Sequence, residues 1–372
     1  MSLCVGTALS LQAPLMSFAA SPEFARTSEE WARLRDNVLE YDELADLIHE
    51  YNVTTQKNQY TASQMDSDLT LNELVGDQLG AAQQMYQAAA NATTEYERIT
   101  AEVQARQAEL GVLRSYDSMT DADSLKWQNA KTEGLLVQEA QNTMNSYYQL
   151  KQQLIAAEKG KELLEAQLTS TQTRVSLQMA TQAELLSAQQ SLQNAEAQIL
   201  SLKSDIESTR QKLIIMTGWK QSDNPEIREI PEVDFGRITA IDPARDLETA
   251  LANDYQLKLD KNKSTYVPNK DYRKAYEVTV DTDKEQIANV LNNAYQAVLQ
   301  AKTAYDEAVL ALDVATRNMA TASNQYGLGS ISLLEYRQAD NEQVTAQTGL
   351  EIKKLALLQA LEAYDWIVKG VR

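Results

Sequence analysis

The chain has 372 residues, 43% of them apolar but only 6% aromatic, with a formal charge of −19. That composition, with a mean hydropathy of −0.44, is too polar for two compact cores and suits elongated helical packing. The acidic balance argues against nucleic acid or an anionic membrane as partner, because phosphate binding needs clustered Lys and Arg; solvated acidic helix faces account for it.

The first twenty residues, MSLCVGTALSLQAPLMSFAA, carry no charge and end in small residues around Ala19 and Ala20. They read as the hydrophobic and cleavage parts of a secretory signal without its usual basic start. Cys4, the only cysteine, lies inside this segment, so the mature chain is expected to hold no thiol and no disulfide. No later stretch approaches 18 uninterrupted apolar residues, so no transmembrane helix is expected.

Residues 21–220 form a first helical repeat. No proline falls between Pro22 and Pro225, which leaves long helices as the natural reading. Helices are predicted over 69–114, 122–178 and 181–217, with a break at 115–124 where Asp121 or Asp123 caps the next helix. Along the third, Leu185, Leu192, Ile199, Ile206 and Leu213 recur every seven residues. Ala188, Ala195, Leu202, Thr209 and Met216 follow three residues behind, as in a left-handed coiled-coil seam.

A proline-bearing connector, 221–243, leads into a second helical repeat, 244–372. Within a break at 261–281, Tyr276, Val278 and Val280 alternate with polar residues, the pattern of one short strand. Helices are predicted over 283–325 and 332–368. In the first of these Ile287, Ala294, Ala301, Ala308 and Ala315 repeat every seven, flanked by Leu291, Val298, Tyr305 and Leu312. Leu350, Leu357, Leu361, Tyr364 and Val368 keep a stripe on the second.

The two repeats are copies of one unit. Residues 173–218 and 324–370 each read as a helix end, a turn and a long return helix stopped by glycine. Glu184 aligns with Glu335 and Gly218 with Gly370, in registers that differ by a single residue. Upstream, DELADLIHEYNVTTQKN (42–58) matches DLETALANDYQLKLDKN (246–262), which pairs Tyr51 with Tyr255.

This duplicated pattern resembles the TolC-like outer membrane efflux proteins. The likeness is carried by Tyr326-Gly327-Leu328-Gly329-Ser330 with Leu333-Leu334-Glu335-Tyr336 at the second turn, and by Arg174-Val175-Ser176-Leu177 with Ala183-Glu184-Leu185-Leu186 at the first. The helix-terminal Leu213-Ile214-Ile215-Met216-Thr217-Gly218 matches as well. The resemblance implies an all-α fold of long coiled-coil hairpins in tandem duplication, with three copies forming a hollow helical cylinder. It also implies an exported protein of the cell envelope, in the periplasm, at an outer membrane or outside a single membrane. Its partners would be a periplasmic adaptor and an inner-membrane transporter.

Two departures stand out. The family's first turn has a glycine where this chain has Gln178, so that turn is expected to be wider or locally helical, with Gly327 and Gly329 allowing tight reversal only at the second. The family's membrane-spanning β-hairpins also have no counterpart: a spanning strand needs about 9–11 alternating residues. Segment 52–68 is polar throughout, and 256–281 offers only Tyr276 to Val280. An open sheet edge cannot exist in lipid, so the chain is expected to be a barrel-less relative that does not insert directly into a membrane.

By resemblance, Tyr326 and Glu184 occupy positions that form an inter-helix hydrogen bond locking the closed end, while Ile331 replaces the family's locking arginine. Glu335 matches an acidic pore-lining position whose second member is Gln338 here. Three Glu335 carboxylates brought together would raise one another's pKa, whereas an exposed first-turn glutamate also simply favours a helix start. Leu177, Gln178 and Met179, with Gly327, Leu328, Gly329 and Ser330, form the expected adaptor-docking turns.

No catalytic residue, cofactor or metal site is expected. His49, the only histidine, has no cysteine or second histidine near it, and no P-loop, GxSxG or HExxH occurs. The tryptophans Trp31, Trp127, Trp219 and Trp366 read as caps of packed helix ends. The alternative to a conduit is a structural coiled-coil scaffold of the envelope that transports nothing.

Overall fold

The computed structural model describes residues 26–34, 36–228, 230–268 and 270–372. The signal-like segment 1–20, with Cys4, lies outside the described residues. Helices α1 (Ser28–Arg33), α2 (Leu44–Tyr51), α3 (Val53–Ser63), α4 (Leu71–Ala90) and α5 (Glu95–Ser115) precede the long pair α6 (Ala122–Ser176) and α7 (Gln182–Met216). After the connector come α8 (Phe235–Ala240), α9 (Pro243–Asn253), α10 (Tyr255–Tyr266) and a second long pair, α11 (Lys270–Gly327) and α12 (Leu333–Val368). The expected all-α architecture of tandem long hairpins is what the chain adopts.

The coiled-coil seams read from the sequence are the packed ones. Each heptad position on α7, from Leu185 to Met216, is buried or half-buried, whereas Leu186 and Leu200 beside them are exposed. The heptad on α11 behaves in the same way. α7 packs on α6, α6 on α12 and α12 on α11, so α7 and α11 are the two edges of the array. α6 and α12 run antiparallel: Gln141 bonds Trp366 (2.8 Å), Gln149 bonds Gln359 (3.1 Å), and Lys159 pairs with Asp340 (2.5 Å). That register places the α6–α7 and α11–α12 turns at one end of the molecule.

The core lies towards the other end, where short elements wrap the long helices. Leu39, Leu44, Leu47 and Ile48 bury against Val137, Ala140 and Met144 of α6 and Leu213 of α7. Leu357, Leu361 and Tyr364 of α12 bury against Leu291 and Val298 of α11. Full burial of each such side chain stabilises the fold by roughly 1.5–3 kcal/mol. Strands β1 (Val38–Leu39) and β2 (Glu226–Ile227) pair in parallel and tie the connector to the first repeat. Tyr41 donates a hydrogen bond to Glu362, whose burial raises its carboxyl pKa, and Tyr364 donates one to Asp246 (2.9 Å).

Three expectations change. The segment 69–114 is not one helix but the antiparallel hairpin α4–α5, because Thr94 and Glu97 form a capping box that starts a new helix after a break at 91–94. Tyr276, Val278 and Val280 lie in α11, not in a strand: Val280 and Ile287 bury one heptad apart, and Tyr276 meets Tyr116 edge-on with ring centroids 5.8 Å apart. Tertiary packing overrides the weak β alternation.

The third concerns the upstream match. Gly218 (φ 87°) sits against Tyr51, and Gly370 (φ 92°) against the backbone of Asn253, so Tyr51 corresponds to Asn253 rather than to Tyr255. The next residues give the same offset: Asn52 accepts from the Thr54 N–H (2.9 Å) as cap of α3, and Asp254 from the Leu257 N–H (2.7 Å) as cap of α10. The glycine contact sets this correspondence, not side-chain identity.

A Cβ at Gly218 would fall 2.2 Å from Tyr51 Cβ, and one at Gly370 would fall 2.3 Å from the Asn253 carbonyl oxygen. Left-handed strain and overpacking together predict that Gly218→Ala and Gly370→Ala each destabilise the fold by about 2–5 kcal/mol. Gly76→Ala, within α4 and facing open space, is expected to stabilise by about 0.5–1 kcal/mol. Urea unfolding of the three variants checks the contrast; equal effects would refute it.

Candidate functional site

The two turns at the shared end, residues 177–181 and 328–332, are built alike. At the first, the Met179 N–H donates to the Arg174 carbonyl (2.7 Å) and the Gln178 N–H to Val175 (3.0 Å). At the second, the Ser330 N–H donates to Gln325 (2.8 Å) and the Gly329 N–H to Tyr326 (2.9 Å). Each is the paired closure that ends a helix on a left-handed residue, here Gln178 (φ 61°) and Gly329 (φ 70°). The first turn is therefore neither wider nor locally helical, as its missing glycine led us to expect. Gln178 takes the left-handed conformation at a cost of roughly 1–2 kcal/mol. Nothing lies within 4 Å of a Cβ at the matching Gly329, so a side chain there is not excluded by space. Gly327 belongs to the last turn of α11 and contributes no positive φ.

Each return helix starts with a capping box. Thr181 accepts from the Glu184 N–H (3.2 Å), while the Glu184 carboxylate accepts from the Thr181 N–H (2.6 Å) and hydroxyl (3.0 Å). Ser332 and Glu335 repeat the arrangement, with 2.8 Å for both bonds to the carboxylate. These T-x-x-E and S-x-x-E signatures stand in the sequence ahead of apolar runs, where they mark a helix start. They are the signal that sequence reasoning passed over.

The capping bonds decide what the carboxylates do within one protomer. Backbone and hydroxyl hydrogen bonds from Thr181 and Ser332 hold Glu184 and Glu335 below the usual carboxylate range, in the direction opposite to that expected for clustered Glu335 side chains. Among the described residues no hydrogen bond joins Tyr326 to Glu184. Tyr326 instead stacks on Tyr336 across the second turn, ring centroids 4.9 Å apart at 28°. Around the turns Leu177, Met179, Leu186, Leu328 and Leu333 are exposed, Leu328 by 81%. Unburied apolar side chains thus cluster around the two reversals.

Behind the tip, Lys159 of α6 bridges Glu162 (2.9 Å) and Asp340 of α12 (2.5 Å), and Arg337 reaches Glu162 (3.5 Å). These contacts hold the two hairpins side by side. At the far end, His49 bonds Glu133 of α6 (2.9 Å).

Because both capping carboxylates titrate lower in the folded chain, their stabilisation is fully present above the unfolded carboxylate pKa and is lost as pH falls through the lower folded value. Lowering the pH from 7 to 3 is therefore expected to fray the first turns of α7 and α12 before the core. Site-resolved amide exchange at residues 182–185 and 333–336, normalised for intrinsic rates, measures this. Unchanged protection there would refute it.

No family model matches the sequence, and comparison with curated proteins finds no match. Solved structures do match. The outer-membrane channel OprN superposes with a TM-score of 0.51 at 12% identity, over 92% of this chain and 92% of that one. The outer membrane protein VceC of Vibrio cholerae gives 0.50 at 10%, over 89% and 96%. The CmeC outer membrane channel of Campylobacter jejuni gives 0.50 at 12%, over 100% and 94%. At such identities the likeness is one of fold, and it extends along nearly the whole of both chains. Paired hairpins, matched turns and this end-to-end likeness give the protein the fold of the TolC-like outer membrane channels.

Proposed function

We propose that the protein is an exported component of a multicomponent efflux or secretion system of the cell envelope. Three copies form a helical conduit whose tip docks a periplasmic adaptor joined to an inner-membrane transporter, and the chain performs no catalysis. The observation that carries this reading is the pair of long-helix edges, α7 and α11, that no further long helix covers among the described residues. α7 exposes Leu186 and Leu200, and α11 exposes Val309, Leu310 and Val314, all on faces turned away from the α6–α12 centre. The edges come from different repeats. In the proposed assembly an α7 edge of one copy meets the α11 edge of the next, a head-to-tail contact that closes into a ring when successive copies are turned by a third of a circle.

The exposed leucines and methionine of the tip supply the docking surface, with Leu177, Gln178 and Met179 on one turn and Gly327, Leu328, Gly329 and Ser330 on the other. In the closed ring Tyr326 and Glu184 form the lock, and the Glu335 carboxylates line the narrow opening. There their mutual repulsion opposes the capping bonds that lower their pKa. Among the described residues no helix is long and apolar enough to cross a membrane.

Light scattering on the mature chain is expected to give a trimer, and Leu200→Glu or Leu310→Glu to give monomers with unchanged helix content. A wild-type chain that stays monomeric at high concentration would sink the conduit; a trimer that binds no adaptor would favour the envelope scaffold. For the lock, Tyr326→Phe keeps the Tyr336 stack and leaves the unfolding midpoint unchanged, while protease cleavage at 177–181 and 328–332 in the trimer accelerates. Equal cleavage of both proteins would remove Tyr326 from the lock.

A further inference from the structure

The α4–α5 hairpin stands where nothing in the proposed conduit requires it. It is rooted at the end of the molecule opposite the tip: Leu71, Val75, Val112, Tyr116 and Met119 bury with Val267. The Leu71 N–H donates to Asp121, the cap of α6 (3.0 Å), and the Tyr116 hydroxyl donates to the Lys263 carbonyl at the end of α10 (2.8 Å). Outward of that root α4 and α5 pack on each other for about 30 Å, through small residues, with Ala82, Ala89 and Ala105 buried.

The opposite face of α5 carries a second stripe. Tyr96, Val103 and Leu110 are seven residues apart, with Ile99 three after the first, and all are exposed, Tyr96 by 80% and Val103 by 51%. This is the spacing that packs α7 on α6 and α11 on α12, but here no helix among the described residues covers it. The charges beside it match a parallel copy of the same helix. Glu102 and Glu109 flank the stripe on one side, Gln107 and Arg114 on the other. Parallel register sets Glu109 of one copy opposite Arg114 of the next, five residues further along, and brings like charges together at the seam only at Arg106. Arg106 is the one charged seam position, a device that specifies register at some cost in stability.

We infer that the α5 faces of the three copies pack together as a parallel coiled coil, a second assembly element at the end of the conduit away from the tip. The inference rests on the trimeric reading above, which brings the hairpins around one axis. The hairpin then closes by helix packing what an exposed apolar face would otherwise leave open to water.

The test uses the full chain with Cys4→Ser and a spin label at Val103→Cys, an exposed position whose change leaves the fold intact. Electron–electron distances below about 25 Å are expected, since packed helix axes lie about 8–10 Å apart and the labels add their own length. A label at Leu110→Cys should give a similarly short distance, and one at Gln84→Cys, on α4, a longer one. Adding Val103→Glu to the Leu110→Cys chain is expected to lengthen and broaden its distance. Distances beyond about 40 Å at residue 103, in particles of trimer mass, would overturn the coiled coil and leave the conduit standing. A chain that remains monomeric would overturn both.

Discussion

The contact between α6 and α12 is the one on which the rest of the molecule depends. Helices of 55 and 36 residues run antiparallel along it and join what would otherwise be two separate hairpins. Its ion pairs, Lys159 with Asp340 and Arg337 with Glu162, are partly exposed and contribute little free energy. Its strength comes from apolar burial and close approach. Trp366 of α12 packs against the cluster that holds Val137, Ala140 and Met144 of α6, and Gly134 of α6 leaves room for Val371, whose Cγ2 would lie 2.6 Å from any added Cβ. Because both central helices are covered on several sides, the edges α7 and α11 carry the exposed apolar side chains of the long helices, Leu186 and Leu200 on one and Val309, Leu310 and Val314 on the other.

One helix-closing device recurs at Gln178, Gly218, Gly329 and Gly370, each with a positive φ. It meets different constraints at the two ends of the molecule. At the far end the closure is pressed against Tyr51 or Asn253, and no side chain fits beside them. At the tip nothing crowds the turn, so only the φ matters and a glutamine suffices. This difference explains how the first turn lost a glycine without losing its shape. The tip is thereby a pair of matched reversals, each followed by a capping box that orients the next helix.

The same contrast separates the two ends of the molecule. The tip exposes apolar side chains around two matched reversals, whereas the far end is held by a core, a parallel strand pair and buried bonds such as Tyr41 to Glu362. Where the family's resemblance implies membrane strands, the chain has α3 and the α4–α5 hairpin. Both are helices whose backbone hydrogen bonds are satisfied internally.

The duplication, the long helices and their seams were legible in the amino-acid order, because heptad spacing is local: residues seven apart share a helix face whatever they pack against. The glycine stops at Gly218 and Gly370 and the turn positions were legible for the same reason. The capping boxes at Thr181 and Ser332, and the one at Thr94 that splits 69–114, were equally local and were simply not read. The order α7, α6, α12, α11 and the Tyr326–Tyr336 stack emerged only in three dimensions. So did the match of Tyr51 to Asn253 and the helical fate of Tyr276 to Val280. Each depends on contacts between distant parts of the chain, where burial outweighs local preference and no spacing in the sequence records which surfaces meet.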